Sequence, residues 1–163
     1  MPGDTLNFKS TNVQQTWALA ERLAAVLKSG DCLALYGNLG VGKSEFARGI
    51  IQTLNKNQTS IPSPTFNLIK PYQTRIGTVF HIDLYRLNSE SELFELGFPD
   101  ILSQGVCIIE WPQLAEALLP KDTLRIYFEI LGDEREIKLE SNTFWRQRLS
   151  PVGKRLLPAK SDE

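Results

Sequence analysis

Residues 37–44 read Gly-Asn-Leu-Gly-Val-Gly-Lys-Ser, and no other segment constrains the fold as much. Gly, four residues, Gly, Lys and a hydroxyl residue make up the phosphate-binding loop pattern, which joins a strand to a helix. The flanks agree with that placement. Residues 32–36, Cys-Leu-Ala-Leu-Tyr, form an almost wholly apolar run, as in a strand covered on both faces of a parallel sheet. Residues 43–55 put Phe46, Ala47, Ile50, Ile51 and Leu54 on one helical face. The chemistry needs each part. Glycines let successive backbone N–H groups converge on one anion. The helix that follows aims its positive end at the same point. Lys43 reaches the β- and γ-phosphates as a point charge, and the Ser44 hydroxyl is placed to ligate Mg²⁺.

The rest of the chain supplies an α/β frame for this loop. Residues 13–27 read as a helix capped by Asn12, with Trp17, Leu19, Ala20, Leu23, Ala24 and Leu27 at three- and four-residue spacing. Residues 66–72 and 78–85 read as paired strands. In the second, Phe80, Ile82 and Leu84 point one way and His81, Asp83 and Tyr85 the other. An acidic helical stretch follows at 88–96, then a buried strand at 106–110, a short helix at 112–118, and a hairpin of 123–130 with 135–139. The expected fold is a three-layer, P-loop NTPase-like sheet, mostly parallel with antiparallel hairpin strands, flanked by helices. It occupies residues 1–140. Residues 141–163 are a basic C-terminal extension of the same domain or a partly mobile tail, read either as a solvated helix or as a surface for nucleic-acid phosphates.

Composition sets limits on partners. A chain of 163 residues is long enough for about one domain. Lys+Arg is 18 against Asp+Glu 19, so bulk charge alone does not hold this protein on nucleic acid. No apolar run approaches the ~20 residues that span a bilayer, and residues 1–10 carry no signal-peptide pattern, so a cytoplasmic protein without a membrane partner is expected. Cys32 and Cys107 sit in apolar runs and read as buried free thiols; one histidine and two cysteines make a poor zinc set.

A phosphate loop of this kind needs an acid at the end of another strand. Glu110 ends Val-Cys-Ile-Ile-Glu, and an acid there is costly unless something cationic meets it. Asp83 competes, on the polar face of its strand two residues from His81. His81 reads equally as an orienting neighbour and as a structural histidine. Ser63 and Thr65, in Ser-Pro-Thr-Phe, lie where nucleotide switches place a segment that senses the γ-phosphate.

Taken together, Gly37 to Ser44, Ser63-Pro64-Thr65-Phe66, His81-Ile82-Asp83-Leu84-Tyr85-Arg86 and Ile109-Glu110-Trp111-Pro112 resemble the TsaE-type ATPases of bacterial tRNA threonylcarbamoyladenosine biosynthesis. The resemblance implies a Mg²⁺-dependent ATPase that works with two other proteins of the threonylcarbamoyl-transfer complex, and meets tRNA through them. Hydrolysis of ATP to ADP would then support turnover of the assembly. On the same resemblance, Lys43 binds phosphate, Ser44 and Glu110 hold Mg²⁺, Asp83 assists catalysis, and Ser63 and Thr65 belong to a switch. Gly37, Asn38, Leu39, Gly40, Val41, Gly42, Lys43 and Ser44 cradle the phosphates. Thr11, Asn12 and Arg135 are the adenine-side candidates. Asn38 and Ser44 stand where relatives often have Asp and Thr. Two other readings use the same loop: a small-molecule kinase, for which residues 84–124 lack an arginine cluster, and a nucleotide-gated adaptor that needs no hydrolysis.

Overall fold

The computed structural model describes residues 5–55 and 68–156, with side chains as far as residue 153 at the C-terminal end. The expectations for Ser63, Thr65 and the strand residues 66–67, and for 157–163, lie outside the described residues. Among the described residues the strands form one sheet in the order β1-β7-β6-β2-β5-β4-β3. Its centre is parallel: β4 (Gly77–Asp83) pairs with β5 (Val106–Glu110), β5 with β2 (Cys32–Tyr36), and β2 with β6 (Leu124–Leu131). Antiparallel strands close both edges, with β3 (Ile69–Thr74) on β4, and β7 (Glu134–Glu140) then β1 (Thr5–Ser10) beyond β6.

Helices cover the sheet on two faces, as expected of a three-layer fold. On one face α1 (Val13–Ala24) and α2 (Lys43–Leu54) pack on Leu33, Leu35, Val106 and Ile108. The two helices approach closely, because a Cβ on Gly49 would come within 2.9 Å of the Ala20 Cβ. On the other face α3 (Glu90–Glu95), α4 (Phe98–Ile101) and a 3₁₀ helix (Pro112–Leu118) bury Leu93, Phe98 and Ala115 against Cys107, Ile109 and Ile82. Cys32 and Cys107 are buried free thiols in register on adjacent strands. Burial pushes the Cys32 thiol up to about 12, so it stays protonated and inert.

Asn12 caps α1 as its sequence suggests, its side-chain oxygen accepting from the Gln15 N–H at 2.9 Å. The helix ends at Ala24 rather than Leu27, but Val26 and Leu27 donate to the carbonyls of Leu23 and Ala24. Those tighter turns keep Leu27 in the core.

Two regions differ from expectation. Residues 5–10 form an edge strand whose Phe8 and Ser10 point inward. The segment after 140, as far as it is described, packs onto the domain through part of its length rather than lying solvated along all of it. In α5 (Thr143–Arg146) Trp145 is fully buried, as are Leu149 and, in α6 (Ser150–Leu156), Val152. Arg148 forms a bidentate pair with buried Asp31 at 3.0 and 2.6 Å, with its guanidinium carbon 4.1 Å from the Trp145 ring centroid.

Candidate nucleotide-binding site

The C-terminal ends of β2, β4 and β5 lie side by side and open into a crevice, where ligands bind in open α/β sheets. From β2 the chain enters the loop at Gly37, whose φ is 146°. A Cβ there would lie 2.8 Å from the Phe128 carbonyl oxygen and 2.9 Å from a Val41 methyl, so only glycine fits. Gly42, with φ at 109°, turns the backbone into α2. The α2 N-terminus therefore faces the crevice with Lys43 and Ser44 as its first residues.

Lys43 is 4% exposed, and its ammonium donates to the Gly37 carbonyl. Burial lowers its pKa, while the nearby Glu110 and Asp83 charges oppose that shift. The ammonium also lies 3.5 Å from the centroid of the Trp111 ring. Trp111 follows β5 directly and holds a left-handed φ of 55°, rare for a bulky residue. Its other neighbour is Tyr85, ring centroids 4.8 Å apart.

Glu110 ends β5 at 2% exposure and is met by donors from two elements. The Ser44 hydroxyl lies 2.8 Å from Oε1 and 3.0 Å from Oε2, and His81 Nε2 lies 2.6 Å from Oε2. Asp83 stands opposite Glu110 on β4, and its Oδ1 accepts the Tyr85 N–H at 2.9 Å. Desolvation raises the Asp83 pKa and the Glu110 charge adds to it, against the lowering effects of the Tyr85 N–H, His81 and Lys43.

Lys43, Ser44, Asp83, Glu110 and Trp111 line one cleft of about 430 Å³ with Leu39, Gly40, Val41 and Gly42. Thr11, Asn12 and Arg135 line the same cleft from the β1–α1 junction and the β6–β7 hairpin. The Thr11 N–H and hydroxyl both donate to Gln15 Oε1, at 2.7 and 3.2 Å, and Arg135 Nη2 reaches the Gly40 carbonyl at 3.4 Å. Gly37 and Asn38 do not line it; they border a second hollow beside Tyr127, Lys138 and Glu140. Sequence reasoning missed Trp111 as a site residue, and missed Arg48 and Glu45, which line the cleft and pair at 2.6 Å. One signal pointed to Trp111: an aromatic directly after the acid that ends a parallel strand falls in the crevice.

The donor set suits a hard cation. Ser44, Glu110 and Asp83 offer oxygen atoms, and among the described residues no group of three His, Cys, Asp or Glu side chains forms a closed metal cage. Mg²⁺ bound beside a nucleotide typically uses one or two protein oxygens and completes its shell with phosphates and water.

Comparison with known proteins gives the chain's family. Residues 10–137 match the family model described as threonylcarbamoyl adenosine biosynthesis protein TsaE. A Rickettsia bellii protein named tRNA threonylcarbamoyladenosine biosynthesis protein TsaE is 40% identical over 124 residues, 76% of this chain and 86% of that protein. A Bacillus subtilis protein of the same name is 40% identical over 134 residues, 81% of this chain and 83% of that one. The fold matches a crystal structure of Bacillus subtilis YdiB with a TM-score of 0.76 and 32% identity, covering 95% of this chain and 98% of the other. With the family model matched over residues 10–137 and relatives 40% identical over most of its length, this chain belongs to the TsaE family of threonylcarbamoyl adenosine biosynthesis proteins.

Proposed function

We propose that this protein is a Mg²⁺-dependent ATPase whose hydrolysis supports turnover of the threonylcarbamoyl-transfer assembly acting on tRNA. One observation carries the reading. The phosphate loop with Lys43 and Ser44, and the acids Asp83 and Glu110 from two other elements, converge on a single cleft. Its volume of about 430 Å³ is in the range of small-ligand pockets, ~300–1,000 Å³.

In this reading the loop amides and the Lys43 ammonium bind the β- and γ-phosphates, and Lys43 exchanges the Gly37 carbonyl for a phosphate oxygen. Ser44 and Glu110 would hold Mg²⁺, which would neutralise charge on the phosphoryl oxygens when bound. Asp83, beside Glu110 on the neighbouring strand, positions a water in line with the γ-phosphorus. The water oxygen bonds to that phosphorus, the bond to the β–γ bridging oxygen breaks, and ADP and phosphate leave. Thr11, Asn12 and Arg135 take the adenine side, while Ser63 and Thr65 sense the γ-phosphate.

Arg48 is held by Glu45 and Arg135 by the loop carbonyl of Gly40. An arginine supplied in trans can raise phosphoryl transfer roughly 10³–10⁵-fold. Basal turnover is therefore weak and rises with the two partner proteins of the assembly. ATP hydrolysis by the chain alone and with that pair checks this, and equal rates contradict it. A Glu110→Ala variant separates the ATPase from an adaptor. If it binds ATP without turnover and still supports tRNA modification, hydrolysis is dispensable.

A further inference from the structure

His81 is fully buried on β4, and among the described residues the one hydrogen-bonding contact of its side chain is Glu110 Oε2, 2.6 Å from Nε2. The contact runs diagonally between strands, because His81 stands opposite Ile108 while Asp83 stands opposite Glu110. With the Glu110 oxygen as acceptor in this contact, Nε2 is the donor. The other ring nitrogen, Nδ1, is buried and has no hydrogen-bond partner among the described residues. A leucine or phenylalanine here would remove the orphaned Nδ1 but would also take a donor from the buried Glu110 carboxylate, so the imidazole's one side-chain contact serves Glu110.

The Glu110 carboxylate shows what the imidazole does. Ser44 has one hydroxyl hydrogen, and it is shared between Oε1 at 2.8 Å and Oε2 at 3.0 Å. That single donor does not fix the rotation of the carboxylate plane. The Nε2–H bond ties Oε2 back into the sheet and leaves Oε1 directed at the Ser44 hydroxyl. We infer that His81 is a positioning residue: it locks the Glu110 carboxylate in the orientation in which Oε1 and Ser44 Oγ present a joint oxygen edge to Mg²⁺. Groups that orient a metal-binding carboxylate in this way act on metal affinity while leaving metal-free contacts alone. The inference rests on the Mg²⁺-dependent reading above.

The 163-residue chain has one histidine, so its ring resonances are unambiguous in a ¹⁵N-labelled sample. The Nε2–H signal is expected to stay in place when ADP is added in EDTA and to move when MgCl₂ follows. Calorimetry with ADP then compares wild type with His81→Leu and His81→Gln. Without metal, all three bind ADP alike. The Mg²⁺ concentration giving half of the metal-dependent gain rises ~10–100-fold in H81L and returns towards wild type in H81Q, whose amide keeps a donor near Nε2. An Nε2–H signal indifferent to magnesium, an unchanged half-saturation in H81L, or equal losses in H81L and H81Q would overturn the role. The NMR arm uses wild-type protein, so it decides even where H81L does not fold. A wild type that binds ADP with no magnesium effect removes the Mg²⁺-dependent reading and the His81 role with it; a magnesium effect that H81L leaves intact removes the His81 role alone.

Discussion

The Lys43 ammonium lies between the Gly37 carbonyl and the face of Trp111, 3.5 Å from the ring centroid. A desolvated cation–π contact of this kind is worth about 2 kcal/mol. Trp111 thus keeps the lysine dry and aimed into the crevice, where its charge acts at low dielectric. Trp111→Ala admits water and loosens the ammonium, and is expected to lower ATP turnover about tenfold or more, while Trp111→Phe, which keeps an aromatic face, retains most of it. Steady-state hydrolysis in the presence of the partner proteins measures both.

Asp83 is held as a buried carboxylate at a cost. Burial raises its pKa from the ordinary 3.8, so the folded state binds its proton more tightly than the unfolded chain does. The native state is then penalised as pH rises above the unfolded value, and the penalty is complete once pH exceeds the folded one. Asp83→Asn is expected to melt at a higher temperature than wild type at pH 7, and the gap closes as pH falls below the ordinary aspartate range. The same variant loses about 100-fold or more in hydrolysis, the scale of a lost general base or water-positioning group. Thermal melts across pH paired with activity show whether stability and function move in opposite directions.

An ion pair between Arg148 and Asp31 helps anchor the C-terminal segment. Arg148 binds both Asp31 oxygens and the Val26 carbonyl at 2.5 Å, with Trp145 beneath it. Its side chain is 15% exposed and that of Asp31 6%, so solvent screens the pair little. Arg148→Ala leaves a buried carboxylate without its partner and is expected to destabilise the fold by about 3–5 kcal/mol. Arg148→Lys keeps the charge, loses the bidentate fit and falls between. Denaturant unfolding measures the loss, and ADP affinity of the folded variant stays that of wild type, because Arg148 does not line the cleft.

The parallel centre and much of the site are legible in the residues because they are local. The apolar run of β2, the glycines and the α2 periodicity identify a phosphate loop unaided, and four apolar residues before Glu110 identify a buried strand with an acid at its end. What depends on distant pairing is not legible. β1 carries only Leu6 and Phe8 as apolar signals, and its strand character comes from β7 beside it. Arg148 reads as part of a basic tail because Asp31, more than a hundred residues earlier, is invisible to any local window. Trp111 gains its meaning from a left-handed turn that seats it on Lys43, which composition does not encode. His81 shows the same limit: adjacency to Asp83 in sequence suggests that partner, while the sheet gives it Glu110.

The central claim is that the loop amides and the Lys43 ammonium gather a nucleotide's phosphates beside an acid-held Mg²⁺. Calorimetric titration of the purified chain with ATP and with ADP, in magnesium, tests it most directly against a Lys43→Ala variant. Saturable heat in the wild type that disappears or weakens about 100-fold or more in the variant is the expected result. No heat for either nucleotide in the wild type, or equal heats in the two proteins, would contradict it.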